Sequence, residues 1–268
     1  MNGKSLKPDD KLGLCLAGGG SLGFLHVGLL YAMEDLGIRP GVVAGTSSGA
    51  AVGAFYASGK SAKDTREILE AFRWTRIVAP TLIRRRGLNS TKRMQSFFTE
   101  HLGKINIEDL PIRLKIAAVN LMDGTLVGFT KGPLARCLAA ASAVPGMFEP
   151  VRVKDGIYYD AGGIFNLPLE LFADENVDTI IVANTIGRNG LMAKPANIQD
   201  TYYQAYLIRC MHQSLSKLSP SGWKGRKNEK IVNIDYPTHG VSPSRMSDVL
   251  PLIDKVRDLS MEILARAF

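Results

Sequence analysis

The sequence predicts an α/β fold in a single domain. Short apolar runs that suit buried strands alternate along the 268 residues with segments whose apolar residues recur at helical spacing. Glycines follow the first two apolar runs, where a strand would turn sharply into a helix. No repeat, low-complexity tract or linker interrupts the series. Residues 12–268 are therefore expected to form one domain, preceded by an extension of residues 1–11.

The first half of the chain predicts two strand–turn–helix units and two further helices. Leu12–Ala17 is apolar and ends in glycines, and Val42–Ala44 leads into a turn bounded by glycines. Ser61 and Asp64 have the spacing of a capping box, and Ser90 is a candidate cap for the next helix. The predicted helices span residues 21–36, 50–57, 61–72 and 90–101.

The second half predicts two hairpins, followed by alternating helices and strands. Asp123-Gly124 and Asp155-Gly156 are turn dipeptides between short apolar runs. The hairpin strands are residues 114–120 with 125–130, and 151–154 with 157–159. Further strands are predicted over 179–183 and 231–234, and helices over 133–141, 198–218 and from 247 onward.

The composition is that of an ordinary globular protein. Hydrophobic residues make up 46% of the chain and charged residues 22%, which excludes a disordered or collagen-like chain. The three cysteines, Cys15, Cys137 and Cys210, are odd in number and far apart. Neither a disulfide framework nor a metal site is therefore expected, no cofactor is implied, and a reducing cytosol is the expected compartment.

The longest uncharged run, Leu12 to Met33, is long enough to cross a bilayer. Six glycines interrupt this run, which argues against a spanning helix. Asp9, Asp10 and Lys11 stand directly before it, unlike the basic start of a signal peptide. The sequence therefore predicts a soluble, untargeted, cytoplasmic protein, with peripheral contact at the membrane as a further expectation.

The formal net charge of +8 is concentrated in two segments. Residues 73–93 hold seven basic residues and no acid, and residues 186–230 hold eight basic residues against two acids. The apolar residues among these charges include Trp74, Ile83 and Trp223. Cations mixed with apolar side chains suit an anionic membrane surface, with Arg84, Arg85 and Arg86 as candidate contacts. The alternative is two solvated basic loops, and the acidic remainder of the chain argues against a nucleic-acid partner.

Gly45-Thr46-Ser47-Ser48-Gly49 fits a nucleophile elbow, the sharp turn that presents a catalytic serine between a strand and a helix. An apolar strand is predicted before this turn and a helix of small residues after it, as the mechanism requires. Ser47, the middle residue, is the candidate nucleophile. The alternative is a turn in which Ser47 only caps the following helix.

The glycine block from Gly18 to Gly23 precedes the first helix and has three interpretations. A Walker loop is excluded because no Gly-Lys-Ser/Thr ends the block. A dinucleotide fingerprint fits the glycines, but no acidic residue ends the second strand, where a ribose would need one. In the third interpretation, the backbone N–H groups of Gly18, Gly19 and Gly20 form an oxyanion hole.

A serine nucleophile needs a base, and Asp160 is a better candidate than any histidine. His26 lies inside the first predicted helix, where a packed histidine is the favoured interpretation. His101, His212 and His239 have no recognisable catalytic setting. Asp160 ends a strand and opens a loop with two glycines, so its carboxylate is placed to accept a proton. The alternative is an aspartate that only forms a turn.

Together these segments resemble the patatin-like phospholipase family from about Leu12 to Asn184. Four blocks occur in the family's order: Gly18–Gly23, Gly45–Gly49, Ala141–Pro150, and Asp160-Ala161-Gly162 leading to Asn166-Leu167-Pro168. The resemblance implies a three-layer α/β/α fold with a mostly parallel sheet, and a calcium-independent Ser-Asp dyad that hydrolyses acyl esters of lipids. By this match Ser47 is the nucleophile, Asp160 is the base, and the backbone of Gly18–Gly20 is the oxyanion hole.

Two positions depart from the family pattern. Leu22 stands where many members carry arginine, and Ala161 stands where glycine is usual. An alanine is tolerated there if its φ angle is negative. The expected chemistry is a two-step acyl transfer to water, and the alternatives are a transacylase with the same site, a lipid-binding scaffold with an impaired site and, third, a dinucleotide enzyme.

Overall fold

A central sheet organises the chain and carries the candidate residues at the ends of its strands. The computed structural model describes residues 8–78, 87–187, 194–195, 198–219, 222–223, 229–242 and 246–268. Its strands are β1 (Asp9–Leu16), β2 (Pro40–Thr46), β3 (Arg113–Asn120), β4 (Leu126–Phe129), β5 (Val151–Val153), β6 (Gly156–Asp160), β7 (Thr179–Asn184) and β8 (Lys230–Asp235). Their order is β5-β6-β3-β2-β1-β7-β8, with β4 also paired to β3. The five strands β3, β2, β1, β7 and β8 run parallel, and the hairpin strands run antiparallel, as predicted.

Helices connect these strands and flank the sheet. They are α1 (His26–Leu36), α2 (Ser48–Ala57), α3 (Ala62–Ala71), α4 (Trp74–Ile77), α5 (Lys92–Leu102), α6 (Leu134–Ala141), α7 (Gly162–Phe165), α8 (Ile198–Leu218), α9 (Met246–Val249) and α10 (Ile253–Ala267). Short 3-10 segments cover Gly20–Leu25, Ile107–Asp109, Leu169–Phe172 and Leu250–Leu252. The result is the α/β architecture that the sequence predicts.

Successive residues of the central strands pack into hydrophobic cores on opposite faces of the sheet. Leu14 and Leu16 of β1 belong to the larger core, while Cys15 between them belongs to a smaller one. The larger core includes buried residues of α1, α2 and α10, and the smaller core includes Phe172 and Leu169. Burial on both faces explains why these strands are continuous apolar runs rather than alternating ones.

The register of the sheet brings the ends of β2 and β6 to the same level on either side of β3. Thr46, the last residue of β2, pairs with Ala117 of β3. Asp160, the last residue of β6, pairs with Ala118. Because Ser47 follows Thr46, the sheet places Ser47 and Asp160 near each other although they are far apart in the sequence.

The start of the domain differs from the prediction. β1 begins at Asp9, which pairs with Pro40, so residues 9–11 belong to the sheet rather than to an extension. The first helical segment is also split. Gly20–Leu25 is a 3-10 segment that continues into α1, because the glycines bring the backbone close to the elbow before a regular helix forms.

The predicted helix caps have mixed outcomes. The capping box of α3 is confirmed, since the Asp64 N–H donates to Ser61 Oγ at 3.0 Å and the Ser61 N–H donates to Asp64 Oδ2 at 3.1 Å. Ser90 is not the cap residue of α5, because Thr91 occupies that position. The Ser90 hydroxyl donates to Glu149 at 2.8 Å and accepts only a long hydrogen bond, at 3.4 Å, from the Lys92 N–H at the start of the helix. The predicted C-terminal helix is interrupted at Leu250–Leu252, where a proline removes a backbone donor.

Candidate active site

Ser47 occupies a strained turn between β2 and α2. Its backbone angles are φ 52° and ψ −123°, a region that residues with a side chain seldom adopt. The side chain does not cap α2, although Ser47 stands at the cap position, so the capping alternative does not describe this serine. The tight turn also depends on Gly49, where a Cβ atom would lie 2.4 Å from the Leu16 carbonyl oxygen. This geometry is that of a nucleophile elbow.

The glycine loop lies directly against the elbow. A Cβ atom on Gly18 would lie 3.1 Å from Ser47 Cβ, and Gly20 lines the same pocket as Ser47. The loop is held from behind, because the Thr185 hydroxyl donates to the Gly18 carbonyl oxygen. Gly19 and Gly20 have positive φ angles of 150° and 60°. The loop backbone is thus brought beside the serine, where donors to an oxyanion are needed.

Asp160 is buried beside Ser47, with 2% of its surface exposed. Its Oδ1 accepts hydrogen bonds from the Gly162 N–H at 2.7 Å and the Tyr206 hydroxyl at 3.1 Å. Oδ2 has no hydrogen bond of normal geometry to any described residue. The Ser47 side chain is nevertheless close enough to lower the pKa of the Asp160 carboxyl group. Burial outweighs these effects and raises the pKa of Asp160 to about 6. The free oxygen and the raised pKa suit a proton acceptor near neutral pH.

Backbone contacts hold the two candidate residues in a fixed relation. The Thr46 hydroxyl, next to Ser47, donates to the Phe165 carbonyl oxygen at 2.9 Å. On the other side, the Asp160 N–H donates to the Ala143 carbonyl oxygen at 3.1 Å. The stretch around Ala143 is one of the four sequence blocks, and in the structure its backbone holds Asp160.

His26 is fully buried, and each of its ring nitrogens makes a hydrogen bond within the fold. Its Nε2 donates to the Ala17 carbonyl oxygen at 2.9 Å, and its Nδ1 accepts from the Tyr236 hydroxyl at 2.9 Å. Burial lowers the pKa of His26 to about 4. Both ring nitrogens are therefore committed, which agrees with the packed interpretation and leaves Asp160 as the base candidate.

The two departures from the family pattern are accommodated by the fold. Ala161 has φ −77° and ψ −12°, so its methyl group causes no backbone strain. Leu22 is fully buried in the larger core, where its side chain cannot reach a substrate head group. Neither residue distorts the site.

Sequence reasoning missed the contribution of α8. Tyr206 donates to Asp160, Tyr203 lines the pocket at Ser47, and the Cys210 thiol lies 3.1 Å from the Gly162 carbonyl oxygen. A signal was present, because three tyrosines fall within five residues of a predicted helix. Their target could not be read from the sequence, since Asp160 lies in a different part of the chain.

Two neighbouring pockets meet at the candidate site. The pocket at Ser47 is lined mainly by apolar side chains, among them Phe24, Phe55, Phe72, Met94, Phe98 and Met147. A second pocket is lined by Asp160 together with Tyr202, Tyr206 and Arg209. Phe148 contributes to both pockets, so the two pockets are adjacent.

The two basic segments, residues 73–93 and 186–230, lie only partly within the described residues. Arg84, Arg85 and Arg86 lie outside them. Trp223, in the second basic segment, is half-buried and packs against the smaller core. Ile77, at the start of the first basic segment, lines the pocket at Ser47, so this segment does approach the candidate site.

The described part of the chain has neither a candidate metal site nor a candidate membrane span. Across the described residues, no group of three or more His, Cys, Asp or Glu side chains is placed to hold a metal ion. No helix in the described ranges is both long and apolar enough to cross a membrane.

The fold and the site define an α/β protein with a nucleophile-elbow serine, a buried aspartate and a glycine loop. The family model for patatin-like phospholipases matches residues 14–173. The chain belongs to this family.

Similar sequences are found in a mycobacterium and a yeast. An uncharacterized NTE family protein of Mycobacterium tuberculosis is 29% identical over 216 residues, which cover 78% of this chain and 57% of that protein. The lysophospholipase NTE1 of Meyerozyma guilliermondii is 27% identical over 185 residues, covering 66% of this chain and 13% of that protein. The chain thus spans little more than half of the mycobacterial relative and a small part of the fungal one.

Solved structures show the same fold. VipD from Legionella pneumophila aligns with a TM-score of 0.58 at 16% identity, covering 96% of this chain and 67% of VipD. ExoU from the type III secretion system of Pseudomonas aeruginosa aligns with a TM-score of 0.55 at 13% identity, covering 97% of this chain and 53% of ExoU. At these identities the likeness concerns the fold alone.

Proposed function

We propose that this chain is a serine acyl hydrolase that cleaves acyl esters of lipids, with Ser47 as nucleophile and Asp160 as base. The observation that carries the proposal is the strained Ser47 backbone beside a buried carboxylate with one free oxygen. Family membership supports a lipid ester as the substrate. The burial of His26 among structural contacts supports a dyad without histidine.

The first half of the reaction forms an acyl-enzyme. Ser47 Oγ attacks the ester carbonyl carbon while Asp160 Oδ2 accepts the hydroxyl proton. The carbonyl oxygen becomes an oxyanion beside the backbone N–H groups of Gly18–Gly20. When the tetrahedral intermediate collapses, the C–O bond breaks and Asp160 returns the proton to the leaving alkoxide.

The second half releases the acid. Water attacks the acyl-enzyme, Asp160 accepts a proton from the water, and Ser47 regains this proton as it leaves the carbonyl carbon. An alcohol in place of water would make the same site a transacylase. The scaffold alternative receives no support, because neither Ala161 nor Leu22 distorts the site.

The apolar pocket at Ser47 is the proposed place for the acyl chain. Its described lining contains aromatic, aliphatic and serine side chains and no charged side chain. An acyl chain that enters it leaves water, which is favourable in proportion to the apolar area buried. Peripheral contact with an anionic membrane surface, as the basic segments predict, would bring the pocket to its substrate.

A fluorophosphonate probe tests the proposal. Such probes react with activated serines, and mass spectrometry of the labelled peptide identifies the residue. We expect the label on Ser47 and none on Ser47→Ala, with retention of the fold checked by circular dichroism. Ser48→Ala is the matched control, because Ser48 is the next residue, and it should still be labelled at Ser47. Labelling of Ser48, or of nothing in folded protein, would overturn the hydrolase proposal.

A further inference from the structure

The second pocket is chemically unlike the pocket at Ser47. Asp160, Tyr202, Tyr206 and Arg209 contribute polar groups to it, whereas no charged side chain lines the described part of the pocket at Ser47. Arg209 is the basic side chain in its lining. This pocket is therefore suited to a polar part of a ligand rather than to an acyl chain.

Three polar side chains of this pocket come from one face of α8. Tyr202, Tyr206 and Arg209 are spaced by four and three residues, which aligns them along a helix. The Tyr202 hydroxyl donates to the Pro145 carbonyl oxygen, and the Tyr206 hydroxyl donates to Asp160. Both anchors fix this part of the helix, and with it the backbone position of Arg209 relative to Asp160.

The direction of proton transfer decides which part of an ester enters this pocket. In the proposed reaction, Asp160 returns its proton to the leaving alkoxide, so the alcohol oxygen must approach the carboxylate. Asp160 lines the second pocket, and Ser47 lines the apolar one. An ester bound across the two therefore has its acyl chain on the serine side and its alcohol on the aspartate side.

Arg209 gives the alcohol side a positive charge. Its side chain is exposed, and no ion pair joins it to a carboxylate within the described ranges. Asp160 is the acidic side chain in the lining, and it is engaged by Tyr206 and the Gly162 N–H. A guanidinium presents forked N–H donors that match the oxygens of a phosphate.

We propose that this pocket binds the alcohol part of the substrate and that Arg209 selects an alcohol carrying a phosphate group. The inference rests on the proposed function, since it takes Ser47 and Asp160 as the dyad. It assigns to Arg209 the discrimination between an ester of a phosphorylated alcohol and an uncharged acylglycerol.

Two short-chain esters that dissolve as monomers test the proposal without a membrane. Dibutyroyl phosphatidic acid carries the phosphate, and dibutyroylglycerol is its uncharged counterpart. The readout is the ratio of their kcat/KM values. A hydrogen bond to a charged group contributes about 1.5–3 kcal/mol, so Arg209→Gln should lower this ratio about 10- to 100-fold. Arg209→Lys should retain part of the preference, because the charge remains.

The matched control is Arg266→Gln, which removes an exposed arginine that pairs with Glu262 on α10. It should leave the ratio unchanged. A ratio that is the same in wild type and Arg209→Gln would overturn the proposal. A loss seen only on anionic vesicles and not on the soluble pair would also overturn it, because Arg209 would then act by contact with the surface.

A binding measurement separates failure of this proposal from failure of the proposed function. Calorimetry with glycerol 3-phosphate and the Ser47→Ala protein needs no turnover. We expect Arg209→Gln in this background to bind at least about tenfold more weakly. Equal binding by the Ser47→Ala proteins with and without Arg209→Gln would overturn phosphate recognition by Arg209. If Arg209 is needed for binding but the wild-type protein hydrolyses neither ester, only the hydrolase proposal is overturned.

Discussion

Tyr206→Phe removes one hydrogen bond from the proposed base and should move the pH dependence of the reaction. The Tyr206 hydroxyl donates to Asp160 Oδ1 at 3.1 Å and helps to stabilise the ionised carboxylate, whose pKa is about 6. A hydrogen bond to a charged group contributes about 1.5–3 kcal/mol, and 1.36 kcal/mol corresponds to one pKa unit. The variant should therefore have an Asp160 pKa higher by about 1 to 2.

The sign of the effect follows from the role of the base. Asp160 must be ionised to accept the proton of Ser47, so kcat/KM should rise with pH through about 6 in the wild type. In Tyr206→Phe the rise should occur at about pH 7 to 8, because the loss of one hydrogen bond raises the Asp160 pKa by about 1 to 2. At pH 7 about nine-tenths of the wild-type carboxylate is ionised, against roughly half or less in the variant.

The assay is the hydrolysis of a soluble short-chain ester from pH 4.5 to 9. Tyr203→Phe is the matched control, because it removes a hydroxyl from the same helix, and no hydrogen bond of that hydroxyl to Asp160 is found. Its acidic limb should stay near the wild-type value. A Tyr206→Phe profile that differs in height but not in the position of its acidic limb would refute this account of the base, since loss of packing alone does not move the limb.

Three further predictions concern the proposed base, the packed histidine and the three consecutive arginines Arg84, Arg85 and Arg86. Asp160→Asn should lower kcat by at least roughly 100-fold and yet raise the free energy of unfolding by up to about 3 kcal/mol at pH 7, measured by urea denaturation. The variant is expected to be more stable because burial raises the pKa of the carboxyl group from 3.8 in the unfolded chain to about 6 in the fold. Ionisation of Asp160 therefore costs stability as the pH rises through this range, and Asn avoids this cost. An unchanged rate would exclude Asp160 as the base. His26→Gln should lower the melting temperature, because two buried hydrogen bonds change, but the folded variant should retain most turnover; loss of turnover in folded protein would indicate a Ser-His enzyme. Replacing Arg84, Arg85 and Arg86 together by Glu should lower the affinity for anionic vesicles by roughly two orders of magnitude at low salt, because each charge contributes about 1 kcal/mol. Co-sedimentation with the vesicles measures this affinity, and equal sedimentation of wild type and variant would support the solvated-loop interpretation.

Local patterns allowed the sequence alone to predict much of the fold. The helix over 198–218 and both hairpins are confirmed, because helical spacing and turn dipeptides depend on residues a few positions apart. The elbow at Ser47 was predictable for the same reason, since glycines within two positions permit its strained turn. Ser90 was misassigned, because its hydroxyl has a partner, Glu149, far along the chain.

The site depends on contacts that local patterns do not contain. The raised pKa of Asp160 is a result of burial, and its partner Tyr206 lies 46 residues away on another helix. The packing of His26 depends on hydrogen bonds from both of its ring nitrogens to residues outside its own helix, Ala17 and Tyr236. The division into an apolar pocket at Ser47 and a polar pocket at Asp160 likewise arises where segments from all over the chain pack together. Sequence therefore determined which residues are candidates for the proposed chemistry, and tertiary packing decided their environment, because desolvation and long-range hydrogen bonds exist only in the assembled fold.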